Sequence, residues 1–64
     1  MNAFTVYKIC EHEHRQLLVV QGVGTMDFQI CVYNEHTGTT LMRLTQPTLD
    51  EFARAIDIMR NGSV

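Results

Sequence analysis

The chain has 64 residues, of which 45% are hydrophobic and 19% charged, and its formal net charge is −2 at pH 7. That composition is globular, and a length well under the ~100–150 residues of a typical domain predicts one domain over residues 1–64. The charge excludes both a basic nucleic-acid footprint of the usual kind and a strongly acidic nucleic-acid mimic. A chain this short buries only ~60% of its unfolded surface, so a lone core is marginal.

From Phe4 to Glu11 the chain is rich in aromatic and β-branched residues, which predicts a first strand. The polar cluster Glu11-His12-Glu13-His14-Arg15 predicts a turn, and Gln16 to Val23 a second strand closed by Gly22, Gly24 and Thr25. In the third strand Met26, Phe28, Ile30 and Val32 alternate with Asp27, Gln29, Cys31 and Tyr33, a period of two that assigns the first set to a core face. Asn34 to Gly38 predicts a glycine-containing hairpin loop, followed by a fourth strand over Thr39–Thr45. In that strand Thr40, Met42 and Leu44 fall on one face, with Leu41 and Arg43 on the other.

Pro47 ends the strands, and Thr48-Leu49-Asp50-Glu51 matches a capping box opening a helix. Leu49, Phe52, Ala53, Ile56 and Met59 fall on one stripe at helical spacing, and Gly62 is placed to end the helix. The expected fold is α+β: a four-stranded antiparallel β-meander followed by one C-terminal helix (ββββα), with the helix on one sheet face.

No apolar run approaches the ~18 residues that a membrane span needs. The chain does not open on a positive stretch followed by an apolar run, so no signal peptide is expected. Two cysteines, Cys10 and Cys31, are too few for a disulfide scaffold and are expected reduced in a cytoplasmic protein.

One helix can cover only one sheet face, yet Leu17, Leu18, Val19 and Val20 are apolar on both faces of the second strand. Counting ~100° per residue from Leu49, Ala55 falls at about 240° and Ile58 at about 180°, off the main stripe. More apolar surface than one copy can hide predicts a homodimer, with Ala55 and Ile58 at its interface. The open face is expected to carry Tyr7, Ile9, Leu17, Val19, Tyr33, Leu41 and Arg43. That mixture of aromatic, aliphatic and arginine side chains suits a protein partner.

His12, His14 and His36 are the only imidazoles, and they invite a metal reading; their spacing matches no ligand pattern, and no metal or other cofactor is expected. Gly22-Val23-Gly24 lies between strands and does not open a helix, so it is no phosphate loop. No nucleophile with a base, and no isolated carboxylate pair, points to an enzyme. The order of four antiparallel strands and one helix resembles the single-strand-binding domains of the Whirly and transcriptional-coactivator type. That resemblance implies a nucleic-acid alternative using Lys8, Arg15, Tyr33 and Arg43, although the basic strand residues of those domains are largely lacking here. The leading expectation is a small non-enzymatic interaction or regulatory module of bacterial or phage type, binding through its open face or a strand edge.

Overall fold

Short polar turns make each strand pair with the next. A computed structural model of the chain describes residues 3–24 and 26–62. It contains β1 (Phe4–His12), β2 (Arg15–Gly22), β3 (Phe28–Asn34), β4 (Thr39–Thr45) and α1 (Leu49–Asn61). The sheet is antiparallel throughout, in the order β1-β2-β3-β4. Thr25, expected at the close of the second strand, lies outside the described residues.

Three connections fix the meander. Glu13 takes φ 57° in the two-residue turn between His12 and Arg15. In the β3–β4 loop the Asn34 carboxamide oxygen accepts the amides of His36 (2.9 Å) and Thr37 (3.2 Å), and Gly38 supplies φ 71°. Between β2 and β3, the Gly22 amide donates to the Asp27 carbonyl, and the Gln46 carboxamide donates to the Asp27 carboxylate at 3.0 Å. β3 therefore starts at Phe28, not at Met26. Met26 lies in the bend before the strand and is exposed, which removes it from the core face that alternation assigned to it.

Helix α1 begins on the predicted cap. The Thr48 hydroxyl accepts the Glu51 amide at 3.2 Å, and the Glu51 carboxylate accepts the Thr48 amide at 2.9 Å. Asp50 and Glu51 add negative charge at the positive end of the helix dipole. Gly62 closes the helix in the left-handed conformation (φ 75°), donating to the Ile58 carbonyl at 2.7 Å.

The core lies between α1 and one sheet face, and consists of Leu17, Ile30, Val32, Ala55, Ile58 and Met59, with Cys10, Val19, Phe28, Leu41, Met42, Leu44, Phe52 and Ile56 packed around it. Two sequence expectations are corrected here. The helix is rotated from the expected stripe by about 70° at ~100° per residue. Ala55 is fully buried and Ile58 3% exposed, whereas Leu49 is 90% exposed and Ala53 is also exposed. Ala55 and Ile58 face the sheet of their own chain, so the reason for placing them at a dimer contact is gone. Leu17, expected on the open face, is also core, at 1% exposure.

Candidate functional site

Directly paired residues of an antiparallel sheet share a face, so the register sorts every strand residue. Leu17 pairs with Cys10 and Val32, Val19 with Tyr7 and Ile30, and Met42 with Val32; these lie on the helix side. Lys8, Leu18, Cys31 and Arg43 form one row across all four strands on the opposite face. Val6, Val20, Gln29 and Thr45 form the next row, and Tyr33 lies there beside Gln16 and Thr40.

The seven expected open-face residues therefore divide. Tyr33 and Arg43 are on the open face. Tyr7, Leu17 and Val19 are on the helix side, although Tyr7 stays half exposed. Ile9 and Leu41 are the extra residues of two bulges, one in β1 between Lys8 and Cys10 and one in β4 beside the Val32/Tyr33 step. Leu41 packs against the core cluster, and Ile9 is exposed. The side chains that make the open face apolar are Phe4, Val6, Leu18 and Val20, which the sequence reading assigned inward or left out. Correct strand ends could not have revealed them, because a one-residue slip exchanges the two faces.

The charged strand residues of the open face are Lys8, Glu11 and Arg43. Lys8 is paired with Glu11 at 3.1 Å, and the Gln16 carboxamide donates to the Glu35 carboxylate at 2.8 Å. The Gln16–Glu35 pair sits toward the hairpin-turn end, whereas Lys8 lies in the row next to Val6 and Val20, directly opposite Leu18. Cys31 is buried on this face between its cross-strand neighbours Leu18 and Arg43, while Cys10 pairs with Leu17 on the helix side. Cys10 and Cys31 are both free and are separated by the thickness of the sheet, so no bridge joins them.

At the Phe4 end a cleft of ≈ 520 Å³ opens between the β2–β3 turn and the end of β4, lined by Phe4, Val20, Val23, Asp27, Gln29 and Gln46 among others. Asp27 is the one titratable side chain among the described residues of its lining, and it already accepts from Gln46. Among the described residues, neither a nucleophile with its base nor an acid–base pair is assembled there.

The arginine closest in sequence to the polar turn has a different task from the one expected. Arg15 reaches across to the end of α1, donating from Nε to the Met59 carbonyl (2.7 Å) and from Nη2 to the Arg60 carbonyl (2.9 Å). Its Nη1 lies 3.4 Å from the Glu13 carboxylate, and its side chain is only 14% exposed. It is thereby engaged in holding the helix terminus and is not offered to a phosphate. The His14 and His36 rings stack, with centroids 4.9 Å apart and planes 30° from parallel, while His12 lies by Glu13 at 3.9 Å. Among the described residues no three metal-ligating side chains converge.

What results is a two-layer ββββα protein with one sheet face covered by its helix and the other face open. The chain matches no protein-family model, no curated protein and no solved structure. No helix among the described residues is long and apolar enough to cross a membrane.

Proposed function

We propose that this chain is a small non-enzymatic interaction module, a cytoplasmic regulator of bacterial or phage type. It works as a homodimer and binds a protein partner through the open sheet face. One observation carries the reading: Phe4, Val6, Leu18 and Val20 form an apolar patch on the face that the helix leaves uncovered, with Phe4 63% and Val6 57% exposed. Apolar side chains gathered on one face mark contact surfaces, whereas single scattered ones do not. Tyr33 and Arg43 at the far side of the same face supply residue types that anchor protein interfaces.

Capture from host lysate with nuclease added tests this. The expected result is a stoichiometric protein retained by the wild-type chain and by Arg54→Ala on the exposed helix surface, but lost at least tenfold by Val20→Glu with an unchanged fold. Equal retention by both variants overturns the open face as the site.

Single-stranded nucleic acid is the second reading, because Lys8, Tyr33 and Arg43 do share the open face. It is the weaker one: Lys8 is ion-paired, Arg15 is held by the helix carbonyls, and the chain is net negative. If it holds, affinity falls steeply as salt rises and Arg43→Glu abolishes binding. An apolar protein interface changes little over the same range.

A further inference from the structure

The outer edge of β1 has a geometry that selects its own occupant. The Val23 amide donates to the Ala3 carbonyl at 3.0 Å, in the register that pairs Phe4 with Gly22 and Val6 with Val20. Ladder bonds between antiparallel strands recur at every second residue. Thr5 and Tyr7 therefore bond inward to β2, and the N–H and C=O of Phe4, Val6 and Lys8 point out of the sheet edge. The side chains of the same three residues lie on the open face.

Edge strands are ordinarily blunted by charge, proline or bulges. β4 has all three: Arg43 at its centre, the Leu41 bulge, and Pro47 beyond its end. The second half of β1 is interrupted by the Ile9 bulge and followed by Glu11. The first half, Phe4–Lys8, is regular, with Phe4 and Val6 on the open side and Thr5 and Tyr7, the latter 53% exposed, on the helix side. Its single charge, Lys8, comes last.

We propose that Phe4–Lys8 pairs antiparallel with the same segment of a second copy about a two-fold axis at Val6, joining two sheets into one. The proposal rests on the reading of the open face as a contact surface and identifies a second copy as one of its occupants. This register uses every outward group of the segment, in about six hydrogen bonds. It sets Phe4 opposite Lys8 of the second copy, whose apolar stem can cover the ring while its ammonium stays with Glu11, and Tyr7 opposite Thr5 of the second copy on the helix side. Moving the axis to Lys8 sets two like charges directly opposite, which is unfavourable. In the chosen register the two apolar patches become continuous across the joint.

The test combines sedimentation equilibrium with amide hydrogen exchange. Wild-type mass is expected to rise from 7.3 kDa toward twice that value with concentration. The amides of Phe4, Val6 and Lys8 should slow in parallel. A synthetic chain N-methylated at Val6 loses only an outward donor, so it is expected to keep its fold and melting temperature but remain at single-chain mass; Val6→Lys is expected to do the same. A wild-type chain that stays at single mass at millimolar concentration overturns the pairing. So does a doubled mass with those three amides still exchanging fast, or a dimer that survives N-methylation. Partner capture that still depends on Val20 in a single-mass chain would leave the open-face reading standing and remove only the second copy.

Discussion

Ile58→Glu is expected to unfold the chain, whereas Leu49→Glu is expected to leave its melting temperature within ~2 °C of the wild type. The two residues differ by the whole width of the helix: Ile58 is 3% exposed against the sheet and Leu49 is 90% exposed at the first turn. A domain of this size has roughly 3–10 kcal/mol of stability, at ~0.05–0.15 kcal/mol per residue. Removing a buried isoleucine costs ~2–5 kcal/mol, and burying an unpaired carboxylate costs several more. Leu49→Glu adds an acid where the helix dipole favours one, worth ~0.3–1 kcal/mol at most. Thermal unfolding followed by circular dichroism reads both. A folded Ile58→Glu with an unfolded Leu49→Glu would mean that the helix presents its other face.

The second large effect concerns a contact 44 residues apart in sequence. The last-turn carbonyls of a helix have no partner within it. Here the Ile58 carbonyl accepts the Gly62 amide, and those of Met59 and Arg60 accept the Arg15 guanidinium. Arg15→Met keeps the apolar stem but removes both charge-assisted bonds and a cation at the negative end of the dipole. The expected loss is ~2–3 kcal/mol, or a fall in melting temperature of ~10–20 °C for a domain of this size. Gly62→Ala is expected to act on the same contact, since a Cβ there would lie 2.9 Å from Arg15 Nη1 in addition to the cost of φ 75°. Its penalty should shrink by at least ~0.5 kcal/mol in the Arg15→Met background. Strict additivity of the two substitutions would mean that Gly62 acts through backbone conformation alone.

The strands and the helix were legible because their signals are local. Thr39–Thr45 is read without error from its flanking turn residues, and Thr48, Glu51 and Gly62 mark the helix because caps act within one turn of the chain. The open face was legible only in part. Alternation in β3 and β4 assigns Ile30, Val32, Met42 and Leu44 inward and Tyr33 and Arg43 outward. But β1 and β2 carry apolar residues in both phases, and parity along β1 and β4 is lost at a bulge. Ile9 and Leu41 each add one residue to one strand only, so Cys10 lies inward where strict alternation would place Ile9, and Thr40 joins the open face. No residue type announces either bulge. Exchanging the faces of β1 and β2 is what put Leu17 and Val19 among the contact residues and left Phe4, Val6, Leu18 and Val20 out.

The helix shows the same division. Leu49, Phe52, Ile56 and Met59 make as good an apolar stripe as Ala55, Ile58 and Met59, so spacing alone leaves the rotation of α1 undetermined. The sheet decides it, because the small Ala55, with Ile58 and Met59, packs over Leu17, Ile30 and Val32. Arg15 then fixes the C-terminal end of α1 against the start of β2. By itself the sequence determined the element order, the β3–β4 loop and both helix caps, since each rests on residues within a few positions of one another. Tertiary structure decided which side chains of β1, β2 and α1 face outward. That depends on register, bulges and helix rotation, and these are settled by what fills the space between two layers.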